Sequence, residues 1–483
     1  MDGKLGNLHH MDLDATLAYE SIWARVPGFR RSPLWLIFLS VSFFLSSAFA
    51  VVSYASGRLP LSNAVLICLI PLVVVTAALK PSWLVLGLLA IPPGLLAYTR
   101  YRPMAVLLAL TLIAQVLVRG RVFLGPQSGL YPLAFLAFAS LVFSADVGAG
   151  AAFAGSNFLK QFSYYLLLGL LAYNLARLGD LRLGQLVAAL LVGVLVTALI
   201  KLAIGGIGPE SATEVDFASR LFFGKNYAYL TFVGFSICFA GFLLTSEHPN
   251  KLARYRPWSL RLSIFFLVLT ATSLVRGSWL LAGLTVLVIA WVTRKRSYWL
   301  LIALAAVVAL SVPASSQRLT NEQPGGTDIT TGRADLWTTV WEDHVVDALP
   351  WGNGFGYSFS LTADRLFGFE QFKYEDAEDD FVYLHSDLMF WLVEYGFLGL
   401  AALALFWSHV LHTCRQMYRH DNPYVRSSAI LLTGIVIAMF MLTVFGNAIA
   451  LRPLAERGFV AIGFLFGVRA AASEGLLSTR VGT

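Results

Sequence analysis

Apolar runs long enough to cross a bilayer follow one another along most of the chain, with short polar breaks between them and one long polar interruption. A transmembrane helix needs about 20 predominantly apolar residues. Such runs lie near 34–54, 62–79, 82–98, 103–118, 129–143, 158–176, 184–204, 222–244, 260–275, 277–293, 298–313, 387–411, 427–449 and 454–468. The pattern predicts an all-α polytopic membrane protein of about 12–14 transmembrane helices. The interruption, from Ser315 to Leu384, predicts one large periplasmic loop containing short helices. The expected organisation is an N-terminal tail 1–33, a helix bundle 34–313, the loop 314–386, C-terminal transmembrane helices 387–470 and a tail 471–483.

Composition and charge agree. With 57% hydrophobic and 13% charged residues, the chain is too apolar for a soluble protein of its 483 residues. Cations are retained on the cytoplasmic side of a membrane. Threading the runs in order puts Arg25, Arg30, Arg31, Arg119, Arg121, Arg177, Arg182, Lys251, Arg254, Arg256, the Arg294 to Arg296 triplet, Arg415, Arg419 and Arg426 on one side; Arg100 and Arg102 dissent. The 315–384 segment falls on the other side and carries a net −9, against +7 for the whole chain. This asymmetry predicts a bacterial inner-membrane protein with both termini in the cytoplasm. The basic balance therefore reports topology and does not point to nucleic acid. Cys68, Cys238 and Cys414 lie in or beside apolar runs, so no disulfide framework or thiolate metal site is implied. The first thirty residues are too polar for a signal peptide, and no internal repeat of the transporter kind is visible.

A few polar residues break the membrane pattern. Arg276 sits in TATSLVRGSWLL with no polar loop beside it, and a charged group at that depth costs roughly 2.5–3.5 kcal/mol on insertion scales unless it snorkels or faces a polar partner. Arg220 opens the run at 222–244, after Glu210, Glu214 and Asp216, with which it could also pair. His385 begins the helix after the loop, and an imidazole titrating near neutrality suits proton transfer. Glu394 is nine residues further on, about half a turn out of phase, which predicts a packing role. Arg333, Trp337, Trp341 and His344 fall within about 80° of one another on a helical wheel, predicting an amphipathic helix at the bilayer edge with Trp337 and Trp341 as anchors. On it, Arg333 could reach an anionic lipid headgroup, and His344 is a rival candidate base. The glycine run PWGNGFG (Pro350 to Gly356) reads as a turn first, and second as a surface that lets a substrate approach backbone. The acidic run Glu375 to Asp380 lacks the spaced ligands of a calcium loop and reads as a solvated face. Asp12-Leu13-Asp14 is isolated in the tail.

The order of three motifs carries a resemblance. GRADLW (Gly332 to Trp337), then PWGNGFG, then HSDLMFWLVEYGFLG (His385 to Gly399) resembles the O-antigen ligase and polymerase superfamily, whose large periplasmic loop reads Gly-Arg, Trp, Gly-x-Gly, then His-Asn and Glu-x-Gly-x-x-Gly. Ser386 stands where Asn is usual. Upstream, SRLFFGKN (Ser219 to Asn226) and SLVRGS (Ser273 to Ser278) are similar to the two family positions where arginines contact a lipid pyrophosphate. The resemblance implies inverting, metal-independent glycosyl transfer, without cofactor, from an undecaprenyl-pyrophosphate-linked oligosaccharide to a sugar hydroxyl on the periplasmic face. It makes His385 the expected catalytic residue and Arg220, Arg276 and Arg333 the expected pyrophosphate ligands, with His344, Trp337 and Asn226 as further candidates. Polymerisation of O-antigen or exopolysaccharide repeats is favoured over ligation to a lipid A-core acceptor. A lipid-linked glycan exporter is the alternative of another class, and would spread its arginines through the membrane. Partners on any of these readings are the lipid-linked glycan, its acceptor and membrane lipids.

Overall fold

The computed structural model describes residues 80–90, 108, 111–112, 149–205, 225–247, 255–272, 276–293, 333–354, 357–361, 384, 386–446 and 452–477. Their regular elements are helices α1 (Pro81–Ala90), α2 (Ala149–Leu178), α3 (Leu183–Gly205), α4 (Lys225–Glu247), α5 (Arg256–Thr272), α6 (Arg276–Thr293), α7 (Arg333–Val340), α8 (Asp387–Tyr418), α9 (Pro423–Phe445) and α10 (Arg452–Ser473), with no strand among the described residues. The fold is that of an all-α polytopic membrane protein, as the apolar pattern predicts. Among the described residues, four helices are long and apolar enough to cross a membrane by length and composition. The expected crossings at 34–54, 62–79, 129–143 and 298–313 lie outside the described residues, as does most of 103–118.

α4 is the hub, packed by α3, α5, α6, α9 and α10. Without water to drive helices together, such bundles rely on small residues that let backbones approach. The tightest pair, α2 and α10, meets at glycines: a side chain on Gly463 would strike the Gly169 carbonyl, and one on Gly467 the Tyr173 carbonyl. Tyr165 stacks on Phe459 beside this seam.

Register follows from two further contacts. Gly434 of α9 faces Ser236 of α4 and Thr285 of α6, while Gly241 of α4 faces Leu431. α4 and α9 are therefore antiparallel. Gly277 abuts the Tyr229 hydroxyl, so α6 runs parallel to α4. At the other end, the α2–α3 turn meets the α8–α9 turn, where the Leu183 amide donates to Tyr424 Oη at 3.1 Å. Asn422 caps α9, accepting from the Tyr424 amide, and Pro423 supplies a preformed first turn. Arg177, Arg182, Arg415, Arg419 and Arg426 all gather at this end.

One buried polar cluster sits inside the bundle. Glu456 and Arg457 are each 1% exposed. Tyr164 donates to Glu456 at 3.0 Å, and Arg457 Nη2 donates to the Leu89 carbonyl at 3.1 Å. That carbonyl would ordinarily accept from the amide four positions on, but position 93 is proline and has no N–H. The guanidinium therefore caps a helix that its own sequence leaves open.

Candidate functional site

The apolar run expected at 387–411 is not one straight crossing. Gly396 has φ +57° and ψ −141°, conformational territory that only glycine occupies readily, and it breaks α8 in two. The break folds the first half back, since a side chain on Gly399 would lie 2.5 Å from the Trp391 carbonyl, eight residues earlier. In a straight helix those positions are about 12 Å apart along the axis. The membrane-crossing part is 397–418, whose Phe397, Leu398, Leu405 and Leu411 are exposed, whereas 389–396 is buried throughout.

The glycine run docks on this break. Phe397 donates its amide to the Pro350 carbonyl, Asn353 to Val393 and Gly354 to Glu394, each at 2.9 Å. Gly352, at φ +81°, fits because a Cβ there would come within 2.5 Å of the Tyr395 and Gly396 amides. Pro350 to Gly354 thus opens with the expected turn and forms a strap held main chain to main chain against Glu394-Tyr395-Gly396. Glu394 fixes the strap from within: it is fully buried and accepts from both the amide and the hydroxyl of Ser358. The expected packing role is here a clamp between loop and helix.

The amphipathic helix expected after Arg333 is shorter and bent. α7 ends at Val340 and continues as a π-helical turn, Trp341–Val345. The wider turn moves the buried stripe from Leu336 and Val340 to Val345. Trp337 and Trp341 therefore part company. Trp341 is exposed, whereas the Trp337 indole donates inward to the Leu384 carbonyl at 2.7 Å. His344 is woven into the loop, with Nδ1 3.2 Å from the Tyr357 hydroxyl and its carbonyl accepting from Asn353 Nδ2 at 2.6 Å.

The helix after the loop starts at Asp387, with Ser386 as its cap, two residues later than expected. Ser386 Oγ accepts from the Met389 amide and donates to the Val444 carbonyl at 2.7 Å, and the Asp387 amide donates to Gly446. The chain before and after position 385 is thus anchored. His385 and Arg220 themselves lie outside the described residues. Arg276, Arg333 and Asn226 are described by backbone position only: Arg276 and Arg333 open α6 and α7, and Asn226 is in the first turn of α4. Counting about 1.5 Å per residue from the shared level of Gly434, Ser236 and Thr285, positions 444, 226 and 276 all lie about 13–15 Å toward one end of the bundle. Ser386 is bonded to the first of them.

With this geometry in view, the family comparison bears on the central stretch. Residues 259–404 match the family model described as O-antigen ligase. Over this stretch the chain is similar to that family. No curated protein and no solved structure matches the chain. The matched stretch runs from α5 to the second half of α8, so it includes Arg276, Arg333, Trp337, His344, position 385, the strap and the Gly396 break. Arg220, Asn226 and the Glu456–Arg457 cluster lie outside it.

Two features of the site escape a sequence reading. The Ser358–Glu394 clamp joins residues 36 apart with no shared motif. Glu456 and Arg457 left a visible signal, a charged pair inside the apolar run 454–468.

Proposed function

We propose that this chain is an inverting, metal-independent glycosyltransferase of the bacterial inner membrane, acting on its periplasmic face. Its donor is an undecaprenyl-pyrophosphate-linked oligosaccharide and its acceptor a sugar hydroxyl, in the first instance that of a growing repeat-unit chain. His385 takes the proton of the acceptor hydroxyl as that oxygen attacks the anomeric carbon. The bond from this carbon to the pyrophosphate oxygen breaks, inverting the centre, and the lipid pyrophosphate departs with its charge held by Arg220, Arg276 and Arg333. Planar guanidinium forks suit that task because they bind phosphate oxygens in pairs. No general acid is needed for so stabilised a leaving group.

What supports the reading most is that the starts of α4 and α6, bearing Asn226 and Arg276, share one bundle end with Ser386. An enzyme needs such convergence, while an exporter would distribute its cations along a path. The test is chain transfer in vitro from purified lipid-linked donor. His385→Ala should lose about 10²–10⁴-fold in turnover. Arg276→Lys and Arg220→Lys should be strongly impaired although they keep the charge. His344→Ala should be mild, because its ring holds Tyr357 within the loop. Wild-type turnover should fall as pH drops through the imidazole range, about 6.5 for an unperturbed histidine, because protonation removes the accepting lone pair. Normal turnover by His385→Ala would overturn the assignment. Glycan length in a deletion strain separates the two transfer readings: single repeats on core mark a lost polymerase, bare core a lost ligase.

A further inference from the structure

We infer that Trp337 is a positioning residue for the transfer reaction, acting through the Leu384 carbonyl to set the place of the base; this rests on the reading of His385 given above. The indole N–H of Trp337 reaches that carbonyl at 2.7 Å, from one turn beyond the start of α7. On the far side, the Ser386 hydroxyl holds the Val444 carbonyl at 2.7 Å and the Asp387 amide holds Gly446 at 3.0 Å. Position 385 is therefore bracketed within two residues by a tether to the loop and a tether to the end of α9. The two tethers differ in origin: one ends on the polar segment and the other on the membrane bundle, so together they fix the loop's chemistry relative to the helices that carry Arg276 and Asn226.

The bond is specific to an N–H donor in the indole position. Leu384 is buried, and around it Leu336, Val340, Met389 and Val393 form the apolar cluster against which the partly buried Trp337 packs. Trp337→Phe removes the N–H together with one ring of the indole, so it loses the tether and part of that packing, whereas Ser386→Ala loosens the opposite tether and leaves the indole in place. A misplacement of about 1 Å in a catalytic group can cost on the order of 10²-fold in rate. Trp337 thus serves catalysis without touching substrate, and its loss should appear in turnover and not in binding.

The experiment compares Trp337→Phe, Ser386→Ala, His385→Ala and the Trp337→Phe/His385→Ala double variant by chain transfer from purified lipid-linked donor. In parallel, carbethoxylation of His385 by diethyl pyrocarbonate is followed by peptide mass spectrometry, with exposed His420 as internal reference. Trp337→Phe is expected to lower kcat about ten- to hundred-fold with donor and acceptor KM unchanged, and to raise the His385 labelling rate severalfold relative to His420. In the His385→Ala background it should cause no further loss, because it acts through the residue already removed. Ser386→Ala, which loosens the opposite tether, should move kcat and labelling the same way, and it keeps the test open if Trp337→Phe does not accumulate. A Trp337→Phe or Ser386→Ala protein with wild-type kcat and labelling, beside an inactive His385→Ala, overturns the inference and leaves the proposed function standing. Equal further losses in the His385→Ala background assign Trp337 a general role in loop folding and also overturn it. Full activity of His385→Ala instead removes the functional reading on which the inference rests.

Discussion

Gly396→Ala tests the helix break directly. Alanine at φ +57° and ψ −141° costs about 1–3 kcal/mol in backbone strain. Its Cβ would also strike the Pro350 carbonyl and come within 2.7 Å of the Gly352 amide, so the strap must move away. Moving it breaks the bonds from Phe397 to Pro350, Asn353 to Val393 and Gly354 to Glu394. At about 0.5–1.5 kcal/mol each these add roughly 2–5 kcal/mol, for a total of about 3–7 kcal/mol. Gly352→Ala meets the same surface from the loop side and should behave alike. Gly354→Ala is the control: its φ is +92° but nothing lies within 4 Å of the added carbon, leaving only strain. Limited proteolysis of the purified protein in detergent, with thermal unfolding alongside, should rank protection of the 315–384 segment as wild type, then Gly354→Ala, then Gly352→Ala and Gly396→Ala together. The Gly352→Ala/Gly396→Ala double variant should lose less than the sum, since both remove one contact. A Gly396→Ala protein as stable and protected as wild type would refute the break and the docked strap.

Three further outcomes follow from the bundle. Gly463→Ala should destabilise by about 1–3 kcal/mol in a detergent melt, because its methyl meets the Gly169 carbonyl, while Gly184→Ala, with open space around it, should not. Arg457→Met should cost about 1–3 kcal/mol by uncapping the Leu89 carbonyl. Reporter fusions should show Gly326 exported and Lys295 cytoplasmic, and the reverse would invert the proposed face of action.

The limits of the sequence reading follow from what hydropathy registers. The runs at 184–204 and 277–293 coincide with Leu183–Gly205 and Arg276–Thr293 because each is predominantly apolar over the length of a straight helix. α8 defeats the same test: DLMFWLVEYGFLGLAALALFW is apolar without pause, and the fold-back depends on φ at Gly396 and on a strap more than forty residues away. One sign was present, a glutamate deep in the run. The stripe after Arg333 misled for a related reason, since one π-helical turn shifts the period and sends Trp337 and Trp341 to different surroundings. Arg276 was legible as an exception to the apolar pattern and Asn226 through the family resemblance, but their common height with Ser386 required the contacts of Gly434.

The break at Gly396 also explains how a loop histidine and membrane arginines can serve one reaction. A straight continuation of 397–418 would carry Asp387 about 15 Å beyond the level reached by Phe397. Ser386 and Asp387 are instead bonded to Val444 and Gly446, which stand at the level Phe397 reaches when α8 and α9 are paired from their turn at 419–422. The first half of α8 must therefore lie across the end of the bundle, over α2 and α10, where Trp391 packs edge-on against Phe162. Only in that position does the chain on either side of residue 385 come level with the starts of α4 and α6. The glycines of the strap and of Glu-x-Gly-x-x-Gly thus act at a distance: they hold a folded-back helix whose far end, Ser386, stands level with the starts of α4 and α6, where the proposed pyrophosphate ligand Arg276 lies.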